Sequence, residues 1–373
     1  MLFTPLLFLS LAVAAPFEHI HHVHKRAAQP EAEPIAATVF VTNIVTVNQF
    51  RQNVDIPDQP TPTTLQTTPV ASPVETPVAT PVETSIASPT AEDTKNNNTS
   101  NTNSDTSFAH GSVEAYAVKG KGIAYSPYTN SGTCKSASEV ASDMSLLSSF
   151  EILRIYAPDC DVVSNMLNSI SNNQKIFAGL FYLESLQSDV ELLASQVHAS
   201  SRGWDAIYAV SVGNEWVNAG TYDAGTVVNA INTGRSLLSA KGFNGPVLTV
   251  DTAPAFQGHP ELCQASDFVG VNQHAFWNGH TAPEDSGPFL KTTIDQLSGI
   301  CNGKSVLVTE TGWPTQGSTF GSLGVPGKQQ QLACIKSIVE TVPDKVLLFT
   351  TYDDLWKHPG QNGVEQFWGI FNN

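Results

Sequence analysis

Two glutamates stand near the ends of apolar runs in the sequence. Glu215 follows residues 210–212 through Gly213 and Asn214, and Glu310 follows residues 306–308 through one threonine. Burial at either place would cost a lone carboxylate several kcal/mol without partners. A single such glutamate could equally be a helix-terminal charge or one half of a loop ion pair. Two of them, each within three residues of a tryptophan and followed by turn-forming residues, favour a catalytic pair.

Paired carboxylates are what cleavage of a glycosidic bond requires. One must be held protonated to donate to the leaving oxygen, while the other stays ionised to attack or stabilise the anomeric carbon. Flat aromatic rings near the same run ends would offer surfaces for sugar rings, although any one of them could simply pack in the core. They are Tyr125, Tyr156, Tyr182, Trp216, Phe276, Trp277, Trp313 and Trp356.

The elements that must position this pair form an alternating pattern over residues 108–373. Eight short apolar runs predict strands at residues 122–125, 152–156, 175–182, 206–212, 247–250, 268–272, 305–308 and 346–350. Helical periodicity between them is clearest at residues 190–200, 224–240 and 329–341, as expected where crossover helices join parallel strands. The fold class predicted is therefore α/β, a (β/α)₈ TIM barrel, whose usual length is about 250 residues.

An open doubly wound sheet is the alternative architecture for the same alternation. No G-x-G-x-x-G or Walker sequence follows any of the predicted strands, which favours the barrel. In a barrel, reactive groups gather at the carboxyl ends of the strands, where both glutamates stand.

The first part of the chain is interpreted as export and processing sequence. Residues 1–14 predict a signal peptide, too short to span a bilayer, and residues 15–26 a propeptide whose final Lys25-Arg26 resembles a kexin-type processing site. Four histidines in that leader could bind metal, but a solvated spacer is favoured. Residues 27–56 form a short β-prone segment for which we find no function.

Residues 57–107 predict a disordered Ser/Thr/Pro-rich stalk. They hold 8 Pro, 13 Thr and 6 Ser with no aromatic residue, so they cannot offset the entropy of folding. An O-glycosylated stalk is favoured over a bare spacer. The N-glycosylation sequons, at Asn97 and Asn98, lie here too.

Composition excludes several partners. There are 18 Lys plus Arg against 34 Asp plus Glu, a net charge of −16, which argues against nucleic-acid binding. No apolar tail precedes Asn373, so we expect no GPI-type lipid anchor. We expect a monomer without a membrane span, and no metal or cofactor, because no His/Cys cluster outside the leader has ligand spacing.

The motifs around the glutamates resemble glycoside hydrolase family 17, the β-1,3-glucanases. The resemblance covers residues 119–373 and rests on Asn214-Glu215 and on residues 309–314, Thr-Glu-Thr-Gly-Trp-Pro, with support from residues 122–125, 153–156 and 367–371. The layout of leader, stalk and C-terminal barrel is similar to the fungal soluble cell wall protein and cell-surface mannoprotein branch. This implies a secreted protein of the cell wall or cell surface.

The resemblance implies a retaining double displacement on β-1,3-glucan, with Glu215 as acid/base and Glu310 as nucleophile. Glucan and other wall glucans or mannoproteins are then the expected partners. The residues expected to bind substrate are Tyr125, Arg154, Tyr156, Asn214, His274, Trp277, Trp313, Asp353 and Lys357.

Two departures from the family pattern bear on these assignments. Residues 272–277, Asn-Gln-His-Ala-Phe-Trp, stand where plant members carry a Tyr-Pro-Phe after the sixth strand. His274 could bond a sugar hydroxyl or only satisfy a polar group of the core. Asp354 replaces the glutamate of Asp-Glu-Pro-Trp-Lys after the eighth strand. Hydrolysis and transglycosylation both fit the motifs. A wall mannoprotein or adhesin that binds glucan with little or no catalysis is the rival from another class.

Five cysteines in an exported chain predict disulfides and one thiol left over. Cys263 and Cys301 each precede a predicted strand and could meet at one face of the barrel. Cys134 and Cys160 follow the first two strands and could pair similarly. Cys334, in a predicted helix, is expected to be a buried free thiol, with a cross-link to another wall component as the alternative.

Overall fold

The computed structural model describes residues 108–360 and 362–371, and eight parallel strands in these ranges close into a barrel in chain order. This confirms the predicted fold and all eight predicted strands. The strands are β1 Gly122–Ala124, β2 Ile152–Arg154, β3 Lys175–Leu180, β4 Ile207–Asn214, β5 Val247–Thr252, β6 Val269–Asn272, β7 Val306–Thr311 and β8 Val346–Leu348.

Helices connect the strands on the outside of the barrel. Within the described ranges they are α1 Val113–Ala117, α2 Ala137–Leu146, α3 Val162–Leu167, α4 Leu186–His198, α5 Ala224–Ala240, α6 Ala253–Gly258, α7 Glu261–Ala265, α8 Ser286–Ile300 and α9 Lys328–Thr341. Short 3₁₀ turns lie at Gly203–Ala206, Ala275–Asn278, Pro283–Asp285 and Pro343–Lys345. None of these helices combines the length and apolar character that crossing a membrane requires.

Helix starts follow local sequence signals. A capping box in which Ser136 and Glu139 bond each other's backbone begins α2, and the Asp223 side chain accepts the Thr226 amide at the start of α5. Such caps satisfy amide groups that the first turn leaves without partners. They fix where each outer helix starts relative to the strand before it.

Two apolar layers hold the barrel together. One lies between strands and helices, and the other fills the inside with side chains from six of the strands and from Phe268, which directly precedes β6. That inner cluster consists of Ile152, Phe177, Ala209, Leu248, Val250, Phe268, Leu307 and Leu347. Along β2, Ile152 belongs to the inner layer and Leu153 to the outer one, so Arg154 returns to the interior above the apolar plug.

The strands that carry the two glutamates are irregular near their carboxyl ends. The pairing register shifts between Ser211 and Asn214 of β4 and again where Asn272 of β6 pairs with Glu310 of β7. Such bulges re-aim side chains and are frequent beside active sites. They also lengthen β7 beyond the predicted end at residue 308, so that Glu310 lies within the strand rather than after it.

The cysteines pair as their positions suggested. Cys134 bonds Cys160, and Cys263 bonds Cys301. Cys334 is free and buried in α9, and burial raises the pKa of its thiol to about 12. A buried thiol of that pKa is neither accessible nor reactive, so the cross-linking alternative is wrong for this conformation.

The predictions for the first part of the chain lie outside the described residues. They are the signal peptide, the Lys25-Arg26 processing site, the β-prone segment, the stalk and the sequons at Asn97 and Asn98. The expectation for the chain end at Asn373 lies outside them as well.

Candidate active site

Glu310 lies near the end of β7 in a pocket of donors. Its side chain is almost fully buried, and its Oε1 accepts Arg154 Nη1 and the Tyr156 hydroxyl, each at 2.8 Å. His274 Nε2 lies 3.7 Å from Oε2. Burial alone would raise the pKa of Glu310, but the Arg154 charge, His274 and the Tyr156 hydrogen bond outweigh it and lower the pKa to about 2. This carboxylate is therefore ionised at any ordinary pH.

Glu215 lies directly after β4 in a less polar setting. Its backbone adopts a left-handed conformation with φ of 54°, a strain of about 1–2 kcal/mol for a residue with a side chain. Its Oε1 accepts one hydrogen bond, from Asn272 Nδ2 at 2.8 Å. Burial, reinforced by the nearby Glu310 charge, raises the pKa of Glu215 to about 7. This carboxyl group therefore carries a proton in mildly acidic solution.

The turn around Glu215 is held by its neighbours on both sides. Gly213 has φ of 84°, and a Cβ there would lie 2.5 Å from the Trp216 ring, so only glycine fits. After the glutamate, the Asp251 carboxylate on β5 accepts the amides of Val217 and Asn218 at 2.9 and 3.2 Å. These contacts fix the strained conformation that aims Glu215.

Asn272, at the end of β6, links the two glutamates. Its Nδ2 donates to Glu215 and, at 3.2 Å, to Asn214 Oδ1. Its Oδ1 accepts Arg154 Nη1 at 3.2 Å and the Thr309 hydroxyl at 2.8 Å. Arg154 Nη2 also donates to Asn214 Oδ1 at 2.7 Å. Side chains from β2, β4, β6 and β7 thus form one network between the carboxyl groups.

Three residues that were expected to bind substrate are buried in the described structure. Tyr125 is fully buried, with its hydroxyl bonded to Asp143 at 2.8 Å. Trp313 is fully buried as well, and its Nε1 donates to a backbone carbonyl at 2.8 Å. Arg154 is 1% exposed and serves Glu310 and Asn214 instead. This burial argues against direct sugar contacts by Tyr125, Trp313 and Arg154, and their assignment to the substrate stays a prediction.

Some of the other candidates lie against the two glutamates, and the rest lie at the outer edge of the site, which we call the rim. Tyr156, Asn214 and His274 lie against the glutamates. Trp277 is 37% exposed and suits a sugar platform. Beyond β8, Lys357 is bound to Asp354 rather than free, at 2.6 Å.

Two further rim contacts complete the site. Asp353 accepts the Gly369 amide at 2.8 Å, so at least one of its oxygens serves the fold. The His274 ring packs edge-on against Trp368, with ring centroids 4.7 Å apart. This packing holds His274 beside Glu310.

Sequence reasoning missed Asn272 and Asp251. Both are polar residues at the ends of apolar runs, the same signal that found the glutamates. Neither lies in one of the recognised motifs, and their importance comes from contacts with residues 33 or more positions away.

The described part of the chain matches a known family. Residues 122–369 match the BtgE/BtgC glycoside hydrolase domain. The chain belongs to this family. It is an O-glycosyl hydrolase, and both Glu215 and Glu310 lie inside the matched region.

Curated relatives support the same placement. The chain is 44% identical to the cell surface mannoprotein MP65 of Candida albicans over 254 residues, covering 68% of this chain and 67% of that protein. It is 42% identical to the probable family 17 glucosidase SCW4 of Saccharomyces cerevisiae over 262 residues, covering 70% and 67% of the two chains.

A solved structure shows the same fold. The glycoside hydrolase family 17 β-1,3-glucanosyltransferase of Rhizomucor miehei superposes with a TM-score of 0.58 at 21% identity, over 68% of this chain and 93% of that one. At this level of identity, the likeness shows that the two chains share a fold.

Proposed function

We propose that this hydrolase cleaves β-1,3-linked glucan by a retaining double displacement, with Glu215 as acid/base and Glu310 as nucleophile. The observation that carries the proposal is the opposite displacement of their pKa values, to about 7 and about 2. Between those values Glu215 holds a proton while Glu310 is ionised. This is the division of labour that glycosidic cleavage requires.

The first step uses the oxygens that the network leaves available. Arg154 and Tyr156 occupy Oε1 of Glu310, so Oε2 attacks the anomeric carbon. Asn272 occupies Oε1 of Glu215, so Oε2 carries the proton that passes to the leaving sugar oxygen. A glycosyl ester on Glu310 results, and the glucan fragment leaves as a neutral alcohol.

The second step reverses these roles. Glu215, now ionised, takes a proton from the attacking hydroxyl, the new bond forms at the anomeric carbon, and Glu310 departs as a carboxylate. Water as the attacking group gives hydrolysis, and a sugar hydroxyl gives transfer. The Rhizomucor protein is a β-1,3-glucanosyltransferase by name, and two relatives are named probable family 17 glucosidases. These names support glucan as the substrate and keep both outcomes within the proposal.

The site of action we propose is the fungal cell wall. The support is the name of the Candida relative, a cell surface mannoprotein, together with the exported, stalk-bearing layout interpreted from the sequence. Secretion, glycosylation of the stalk and a monomeric state remain predictions.

One incubation tests the proposal. The purified protein is mixed with a reduced laminari-oligosaccharide, and the products are sized. Shorter chains indicate hydrolysis and longer chains transfer, whereas unchanged substrate would leave only the rival role of a glucan-binding mannoprotein. Proton NMR of the first product tests retention, because a β-anomer must appear first. An initial α-anomer would overturn the double displacement.

A further inference from the structure

Three consecutive residues at the end of β5 hold the turn that carries Glu215. The Val250 carbonyl accepts the Glu215 amide at 2.9 Å. The Thr252 hydroxyl donates to Asn218 Oδ1 at 3.1 Å. Asp251, between them, supplies its side chain to the same turn. We call these three residues of β5 the β5 clamp.

The Asp251 carboxylate uses both of its oxygens to bind backbone amides. Oδ2 accepts the Val217 amide at 2.9 Å, and Oδ1 accepts the amides of Asn218 at 3.2 Å and Thr252 at 2.8 Å. Hydrogen bonds to an ionised acceptor are stronger than those between neutral groups. The clamp therefore fixes the two peptide groups that lie two and three residues after Glu215.

The position of Asp251 is unfavourable for a carboxylate. The residue is fully buried, and within residues 108–360 and 362–371 no lysine or arginine forms an ion pair with it. Burial raises the pKa of its side chain, although the three amide hydrogen bonds oppose this. A neutral side chain would cost less to bury, but only a side chain with two acceptor oxygens can satisfy all three amides.

Glu215 needs this support because its own backbone is strained. It lies just after Asn214, the last residue of β4, and its φ of 54° is in the left-handed region. Such a conformation persists only where the surrounding structure enforces it. Without the bonds to Asp251, we expect the turn to relax and the Glu215 carboxyl group to move away from Asn272.

Glu310, by contrast, is held by the sheet itself. It lies within β7, where it pairs with Asn272 of β6, and its carbonyl accepts the Gln273 amide at 2.9 Å. Backbone hydrogen bonds between neighbouring strands therefore fix its position. A change in the β5 clamp should reach Glu215 and leave Glu310 in place.

We propose that Asp251 is the positioning residue of the acid/base, which keeps the Glu215 carboxyl group aimed at the leaving sugar oxygen without contributing to the attack by Glu310. Asp251 acts through the backbone of residues 217 and 218 and does not itself donate the proton. The inference rests on the proposed function, because it assigns a role within that reaction. It predicts that loss of the clamp slows only the steps that need proton transfer.

The test compares kcat/KM of Asp251→Asn on two substrates. One is a laminari-oligosaccharide, whose leaving oxygen must be protonated, and the other is a dinitrophenyl β-glycoside of the same oligosaccharide, whose leaving group is a weak base. Asparagine keeps the size of the side chain but turns an NH₂ group toward a backbone amide. We expect a loss of about 10²-fold on the first substrate and of less than about 3-fold on the second.

Asp205→Asn is the matched control. Asp205 is exposed in the 3₁₀ turn that precedes β4, at the opposite end of the strand from Glu215. The variant makes the same chemical change at a distance from the turn. Its kcat/KM should equal the wild-type value on both substrates.

A second variant keeps the test decisive if Asp251→Asn does not fold. Thr252→Val keeps the shape of a partly exposed side chain and removes the clamp's hydrogen bond to Asn218. We expect kcat/KM to fall by about 3-fold on the laminari-oligosaccharide, the effect of one modest hydrogen bond, and to stay unchanged on the dinitrophenyl glycoside.

The pattern of losses over the two substrates decides the matter. An equal loss on both overturns the proposal, because a smaller folded fraction or a displaced nucleophile would give that result, and so does the absence of any loss. Glu215→Gln is measured beside these variants. If it too fails to separate the substrates, the proposed role of Glu215 fails independently of Asp251.

A crystal structure of Asp251→Asn tests the geometry without turnover. Loss of the hydrogen bond between Glu215 and Asn272, with the Arg154–Glu310 pair intact, supports the proposal. A Glu215 that keeps its left-handed backbone and its bond to Asn272 overturns it. This result stands even if the wild-type protein turns over neither substrate, in which case the proposed function alone fails.

Discussion

The ends of β4 and β7 present the same residue type in two different environments. Glu310 on β7 accepts two donors on one oxygen and faces His274 with the other. Glu215 after β4 receives one neutral amide. Burial pushes both pKa values upward, yet they end near 2 and near 7. The difference teaches that the neighbouring charge of Arg154, rather than the depth of burial, decides which carboxyl group stays ionised.

The negative charge of ionised Glu310 opposes the deprotonation of Glu215. The charge on Glu310 is the second cause of the raised pKa of Glu215, after burial. Arg154 therefore acts on both groups, directly on Glu310 and through it on Glu215. This coupling predicts how a substitution at either glutamate, or at Arg154, changes the activity.

The largest effect is expected from Glu310→Gln. It keeps the shape of the side chain but removes the nucleophile, so kcat should fall by on the order of 10⁴-fold. Steady-state kinetics on laminari-oligosaccharides measures this, with circular dichroism to verify the fold. Glu340→Gln, at an exposed position of α9, is the control and should leave kcat unchanged. Near wild-type turnover in Glu310→Gln would rule out its role as nucleophile.

Glu215→Gln should cost less, and the cost should depend on the substrate. Loss of a general acid slows reaction by about 10²–10⁴-fold when the leaving oxygen must be protonated. On an aryl β-glucoside whose leaving group is a weak base, kcat/KM should fall much less. Equal losses on laminari-oligosaccharide and aryl glucoside would contradict the assignment of Glu215 as the acid.

Arg154→Lys should move the acidic limb of the pH profile. Lysine keeps the positive charge but cannot hold Glu310 and Asn214 together as the two guanidinium nitrogens do, so fewer hydrogen bonds hold that charge against the carboxylate and stabilise it. The pKa of Glu310 then rises from about 2, and kcat/KM falls off at a higher pH than in the wild type, with a loss of about 10-fold at the optimum.

The control for that variant is Arg235→Lys. Arg235 is partly exposed and pairs with Asp267 at 2.5 Å, away from the glutamates. Its pH profile should coincide with that of the wild type. An acidic limb that does not move in Arg154→Lys would show that Arg154 does not control the ionisation of Glu310.

The smallest expected effect is a shift in the basic limb of the pH profile of kcat/KM. Wild-type kcat/KM should decline as the pH rises through about 7, where Glu215 loses its proton. The Asn272 hydrogen bond lowers the pKa of Glu215, so Asn272→Ala should raise it and shift the decline to higher pH. Asn173→Ala, at an exposed position before β3, is the control and should leave the pH profile unchanged. A shift toward lower pH in Asn272→Ala would contradict the role given to this amide.

The fold was accessible from local patterns. Apolar runs of strand length alternate with helical periodicity, and this alternation gave the barrel and all eight strands. The predicted end of β7 at residue 308 was too early, because the bulge that carries β7 on to Thr311 depends on pairing with β6 and β8. Register is a property of two strands together, so one strand's residues do not reveal it.

The site was accessible only in part. Glu215 and Glu310 are conspicuous in the sequence because burial of a carboxylate at the end of an apolar strand costs free energy unless the group has partners. Trp313 and Tyr125 stand beside similar runs and were assigned to the substrate, yet both are fully buried. Whether an aromatic ring at a strand end faces the cleft or the core depends on what packs over it, and that is set by loops distant in sequence.

The sequence by itself determined the alternation of strands and helices, the positions of the two glutamates at the carboxyl edge, and the cysteines available for pairing. These depend on neighbours along the chain. Only the tertiary structure decided which glutamate is ionised, because Arg154 and Glu310 are 156 residues apart and Asn272 and Glu215 are 57 apart. A pKa is set by charges and dipoles within a few ångströms, and folding alone brings those groups together.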